Sequence, residues 1–190
     1  MKTLFAPLLI FILLMARGAQ GQDIYVGGSD LNLIISGTSN VHDWEETVGK
    51  LNGTAKISWN ADGSFTLQYL DFSIDVQSIK STKGGMMDDK TYDALKEEAN
   101  PTITFKLTSP ISNATPGTTI SAKGDLKVAG ITKPVTLQVK VTGNNSKLVF
   151  EGTKALNMKE YGISPPTAFM GAMKVGEQVT IKFKTAYTKK

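Results

Sequence analysis

The sequence predicts an all-β domain of about eight antiparallel strands carrying one short helical insertion. Apolar and polar residues alternate with period two through most of the chain beyond residue 30, which turns one face of each run inward and the other to water. Clusters of Gly, Asn, Asp and Pro punctuate the runs. One stretch alone carries clear helix-opening and helix-closing signals about three turns apart. A length of 190 residues fits one domain on a soft prior of about 150 residues each. With 41% hydrophobic and 20% charged residues, the composition excludes fibrous and fully disordered classes.

Residues 1–21 read as an export signal. Lys2 supplies a positive start, Leu4 to Met15 is nearly unbroken apolar sequence, and Ala19-Gln20-Gly21 offers small residues for cleavage before Gln22. The apolar run is shorter than the roughly 20 residues a spanning helix needs, so a stable membrane span is not expected. The expected location is exported, periplasmic or secreted, with residues 22–190 as the folded domain. No cysteine follows the run, which excludes lipid attachment at an N-terminal Cys.

Leu31, Leu33 and Ile35 open the alternating series, and Leu51, Ala55, Ile57 and Trp59 continue it. Between Phe65 and Val76 the phase changes: Phe65, Leu67 and Tyr69 hold odd positions, Leu70, Phe72, Ile74 and Val76 even ones. A single extra residue does this, so a bulge is predicted near Leu70-Asp71. Asp88 to Glu98 reads as the helix, closed by Asn100-Pro101; Tyr92 and Leu95 give it a narrow apolar face suited to shallow packing. Strand patterns resume at Ile103, Phe105 and Leu107, then Ile120 to Val128, Val135 to Val141, and Val179 to Phe183. Asn60–Gly63, Thr115–Gly117, Gly130–Pro134 and Gly143–Ser146 supply turns. Thr153 to Tyr161 reads as a second short helix. Such strands close into a barrel or stack as a sandwich, and a barrel with an apolar inside is either filled or holds an apolar guest.

The whole chain carries a net charge of +4, and removal of residues 1–21 leaves 19 lysines against 17 acidic residues. Arg17 is the sole arginine, so the domain lacks the guanidinium forks that read guanine edges and clamp phosphates, and nucleic acid is not an expected partner. Charge is uneven: residues 22–120 hold 7 basic and 13 acidic groups, residues 121–190 hold 12 and 4. Zero cysteines remove disulfides, thiolate nucleophiles and thiolate zinc sites.

His42, the only histidine, lies in Val41-His42-Asp43-Trp44-Glu45-Glu46. A histidine beside carboxylates suits general-base chemistry, but no G-x-S-x-G elbow supplies a nucleophile, and one histidine without cysteines is a poor start for a metal site. Neither a catalytic residue, a metal ligand nor a cofactor is expected. His42 and Trp44 are expected instead to close one barrel end. The methionines are more suggestive. Met86 and Met87 follow Lys83-Gly84-Gly85, and Phe169, Met170 and Met173 follow Pro165-Pro166. Methionine adapts to irregular apolar partners, so these two loops read as a portal for a flexible apolar ligand. Tyr92 and Leu95 belong beside them, and the inward residues Phe72, Phe105, Leu107, Leu137 and Phe183 are the expected lining of the tail site.

Several segments, in order and spacing, resemble the YceI-like family of exported bacterial lipid-binding proteins. Gly124 to Leu137, GDLKVAGITKPVTL, is similar to the family's strand, G-[IV]-T-K-P-V turn and second strand. Val76 to Ser81, the aspartate-rich helix and Asn100-Pro101-Thr102-Ile103-Thr104-Phe105 resemble its middle, and Glu160-Tyr161-Gly162-Ile163 its aromatic-Gly-Ile segment. The resemblance implies an eight-stranded lipocalin-like barrel with a long apolar cavity for a polyisoprenoid, and a carrier or storage protein rather than an enzyme. It implies a lipid such as a polyprenyl phosphate or prenyl quinone as partner, with Lys83 available to a diphosphate head. Oligomeric state is left open, a homodimer included. The bulky, acidic residues after His42 and the Tyr92-Asp93-Ala94-Leu95 stretch depart from the family pattern. Two other readings stand beside this one: an enzyme using His42 with a nearby carboxylate, and a filled envelope barrel without a ligand.

Overall fold

The structure, a computed structural model, describes residues 21–190; the side chains of Ala168 and Phe169 are not described, and the export-signal reading of residues 1–21 falls almost wholly outside this range. Strands are β1 (Asp23–Ser39), β2 (Trp44–Val48), β3 (Leu51–Trp59), β4 (Phe65–Asp75), β5 (Ile79–Ser81), β6 (Thr102–Leu107), β7 (Ile111–Ala114), β8 (Thr119–Val128), β9 (Ile131–Gly143), β10 (Lys147–Asn157), β11 (Thr167–Ala168) and β12 (Met173–Lys189). Among the described residues the one α-helix, α1, spans Gly85–Leu95. Eight strands form a continuous antiparallel ring in the order β12-β10-β9-β8-β6-β4-β3-β1, and β1 pairs with β12 to close it. The closed ring decides for the barrel over the sandwich. The remaining four strands are short additions: β2 and β5 extend the sheet from β1, β7 flanks β4, and β11 flanks β12.

The first half of β1 pairs with β3 (Asp23–Gly27) and the second with β2 (Ile34–Gly37). Between them the register shifts at Gly28–Leu31, where Gly28 and Asp30 take positive φ. The phase change in β4 is real, but its extra residue is Gln68, not Leu70-Asp71: Lys56 pairs with Tyr69 and Ile57 with Leu67. Leu67 and Leu70 thereby both face inward, while Tyr69 stays outside, its hydroxyl donating to Asp71 Oδ2 at 2.7 Å.

Three further expectations are corrected. The helix begins three residues before Asp88, because Gly84 (φ 89°) turns the chain directly into it, and ends at Leu95, because Lys96 adopts a left-handed conformation (φ 54°). Thr153 to Tyr161 is the end of β10 followed by a 3₁₀ turn at Met158–Tyr161, which Asn157 caps by accepting from Lys159 N. Pro134 lies inside β9, the turn being Ala129-Gly130 alone. Pairing between β9 and β10 covers only Leu148–Gly152. Residues 131–138 of β9 are therefore an edge toward β10, the setting in which a strand tolerates proline. Tyr161 and Ile163 tuck in beside this unpaired stretch and are buried.

Closure is tight. Tyr187 of β12 lies across Gly27 of β1 and Gly53 of β3; a Cβ on Gly27 would stand 2.4 Å from its Cζ, and one on Gly53 2.2 Å from its hydroxyl. Gly152, opposite Phe183, makes the same allowance for that ring. One end of the barrel is packed solid by Tyr25, Phe65, Val141 and Leu148, all fully buried. There the Tyr25 hydroxyl donates to Asn145 O at 2.5 Å and accepts from Trp59 Nε1 at 2.8 Å.

Gly27→Ala overpacks the Tyr187 contact and should cost about 1–3 kcal/mol. That lowers the thermal midpoint by roughly 2–4 °C per kcal/mol for a chain of this size, read by circular dichroism. Gly85→Ala, whose Cβ meets nothing within 4 Å, should leave it unchanged.

Candidate functional site

Beyond the packed end the barrel is hollow. A cavity of about 250 Å³, near the lower bound of the roughly 300–1,000 Å³ common for small-molecule sites, is lined almost wholly by apolar side chains. On β12 the lining runs from Val175 to Tyr187, which at about 3.3 Å per residue and a strand tilt near 40° is roughly 30 Å along the barrel axis. The space is therefore long and narrow. Phe72 and Phe105, directly opposed on β4 and β6, stack with centroids 5.3 Å apart. Phe150 meets Tyr187 edge to face at 5.3 Å and forms the floor with Leu67. Burial holds the Tyr187 hydroxyl protonated well above the ordinary tyrosine range, and it donates to Asp71 O at 3.3 Å.

The opposite end opens between the β1–β2 loop, the start of α1, the end of β10 and the residues flanking β11. His42, Trp44 and Lys83 all reach this opening, as does Met87. Trp44 is held by donating from Nε1 to Thr38 O at 3.2 Å. His42 Nδ1 lies 2.9 Å from the main-chain carbonyl of Asp43, not its carboxylate. Phe105, Leu107, Leu137, Phe183, Leu95 and Met173 line the wall. Met86 and Met170 do not: both side chains project into solvent. Tyr92 is also off the wall, because its hydroxyl donates toward Gln77 O and Ile79 O while Lys80 covers its ring. The Phe169 side chain is outside what is described.

The polar part of the site includes residues the alternation did not single out. Lys90 and Lys154 line the opening with Lys83, and Glu46 of β2 stands just inside it. Glu46 is 6% exposed, and its Oε1 accepts from the Thr91 hydroxyl of α1 at 2.5 Å. Burial pushes its carboxyl above the usual glutamate range, the Thr91 hydrogen bond opposes that, and the nearby Asp88 charge adds to it. Asp88 is driven the other way. It accepts from Ser81 N at 2.7 Å and pairs with Lys80 at 3.2 Å, so it stays charged and ties the first turn of α1 to β5.

A family model described as YceI-like domain matches residues 32–187. Proteins of Pseudomonas aeruginosa designated UPF0312 are 29% identical over 116 residues, spanning 54% of this chain and 59% of theirs. Among solved structures, BcnA of Burkholderia cenocepacia superposes with a TM-score of 0.62 at 20% identity, covering 82% of this chain and 95% of that one. A polyisoprenoid binding domain from Saccharophagus degradans, implicated in plant cell wall breakdown, gives 0.65 at 11% identity, covering 90% and 100%. A YCEI protein of Campylobacter jejuni gives 0.54 at 18% identity, covering 74% and 84%. At these identities the likeness is one of fold.

The Glu46 environment sets a sign. Its proton affinity is higher folded than unfolded, so its contribution to stability is fully present below the unfolded glutamate range and is lost as pH rises through the folded value. Glu46→Gln should melt above the wild-type protein at pH 8, with the difference closing toward pH 4; a gap independent of pH in melting curves would contradict this.

Proposed function

The chain belongs to the YceI-like domain family, and on that premise we propose that it is an exported, non-catalytic carrier or store of an isoprenoid-type lipid held lengthwise in the barrel. The long, narrow apolar cavity with its single polar mouth carries this reading. An extended chain removes one CH₂ after another from water along such a wall, at about 0.8 kcal/mol each. No polar partner is required until the mouth. There two chemistries meet a head group: the ammonium groups of Lys83, Lys90 and Lys154 suit a phosphate, and the buried Glu46 with Thr91 suits a hydroxyl or carbonyl. The polyisoprenoid bound by the Saccharophagus degradans domain supports the same class of ligand. Export is part of the proposal through the apolar run and small-residue site before Gln22.

Native mass spectrometry of protein purified from its own cell envelope, with identification of released lipid, tests this directly. A prenyl lipid adduct is expected. Ala122→Phe, which adds a ring to the wall beside Leu137, and Phe105→Asp should each reduce prenyl-lipid uptake at least tenfold while the strand signal in circular dichroism is kept. Failure of the wild-type protein to bind any added prenyl lipid would overturn the carrier reading in favour of the ligand-free barrel.

A further inference from the structure

Among the described residues the three most exposed large apolar side chains are Met170, Met86 and Val41, at 109%, 71% and 64% of full exposure. The next most exposed, Val26, Ile24 and Ile131, lie between 37% and 49%. Isolated apolar residues on a surface need no explanation, but these three share one place. Each is close in sequence to a residue of the cavity opening: Val41 adjoins His42, Met86 adjoins Met87, and Met170 lies between Pro166 and Met173. Two of the loops are locked side by side, since Asn40 donates to Ala172 O and Lys174 O and accepts from Lys174 N. The opening is thus ringed by apolar tips on separate loops.

Lys83, Lys90 and Lys154 stand at the same opening, and among the described residues none of them forms an ion pair. The sequence neighbours Asp43 and Asp89 partly offset them, so the excess of positive charge at the rim is small. Residues 121–190, rich in lysine, also form adjacent strands β8, β9, β10 and β12, which puts the basic half of the sequence on one flank of the barrel. A protein partner would need a continuous face, whereas these tips surround a hole that leads to an apolar interior.

Resting on the carrier reading, we propose that the rim docks on an anionic lipid membrane, with Val41, Met86 and Met170 entering the interfacial layer and the lysines meeting head groups. Cargo then passes between bilayer and barrel without crossing bulk water. Three shallow side chains and a few lysines give weak, reversible attachment, as a shuttle requires.

The barrel's strands all lie within residues 23–189, so the test uses the chain from Gln22, which removes the N-terminal apolar run as a competing anchor. Flotation with phosphatidylethanolamine–phosphatidylglycerol vesicles should show binding that falls about tenfold for each of Val41→Ser, Met86→Ser and Met170→Ser. The triple variant should extract a fluorescent prenyl probe from vesicles much more slowly, yet bind the same probe in vesicle-free solution as the wild-type protein does. Equal flotation of the triple variant overturns the proposal. So does a wild-type protein that binds the probe in solution but never floats, an outcome that keeps the carrier reading and points to a protein as the occupant of the rim. No probe binding in either setting overturns the carrier reading and the docking proposal together.

Discussion

The pairing of β1 with β12 is the constraint on which the rest depends. The strands come from opposite ends of the domain, and their register runs from Tyr25–Lys189 to Ser39–Val175. Until they meet there is an open sheet with one apolar face; once they meet there is an interior. Because the partners are so distant in sequence, their pairing carries a large loop-closure cost. Tyr187 sits at that junction, and the absence of side chains at Gly27 and Gly53 lets its ring lie flat against the wall it helps to close. Removing polar edges in this way also removes two long templates for edge-to-edge association.

The two ends of the barrel follow from a division of labour among inward residues. Tyr25, Phe65 and Leu148 fill one end with no space to spare, whereas the middle relies on side chains that face one another across a gap. The mouth reverses the rule and places ionisable groups on the inner face. Glu46 and Asp88, both little exposed, are pushed in opposite directions because one meets chiefly desolvation and the other a main-chain donor and a lysine. A pair of carboxyls with opposed tendencies gives this end of the molecule a charge pattern that burial alone would not produce.

That reversal also explains how far the fold and site were legible from residue order. Where inward positions are apolar, as in β8 with Ile120, Ala122, Leu126 and Val128, the period-two pattern gave the strand and its facing together. It failed where inward positions turn polar or small. In β10 the inward set is Leu148, Phe150, Gly152, Lys154 and Leu156, and Lys154 broke the alternation enough to suggest a helix. In β2, Glu46 between Trp44 and Val48 kept that strand out of the alternating series. The residues that hid these strands are thus residues of the mouth. Methionine content pointed to Met86, Met87, Met170 and Met173 alike, of which Met87 and Met173 line the cavity while Met86 and Met170 face solvent, since composition does not reveal which of two neighbouring methionines faces inward. The resemblance supplied the barrel and its closure, which periodicity alone left open.

The unpaired margin between β9 and β10 has a mechanical meaning. Where neighbouring strands are laddered the hoop of the barrel resists widening, because an increase in girth stretches rows of main-chain hydrogen bonds. From Gly152 onward toward the mouth, β10 has no ladder to β9, and the gap is bridged by the side chains of the 158–163 segment and by Lys154 reaching Thr136 O at 3.3 Å. The wall is a split ring at that level. At that seam the strands are held by apolar contacts of Tyr161 and Ile163 and not by backbone bonds. Widening there costs side-chain contacts, whereas widening along the β10–β12 ladder, continuous from Lys147 to Asn157, costs main-chain hydrogen bonds.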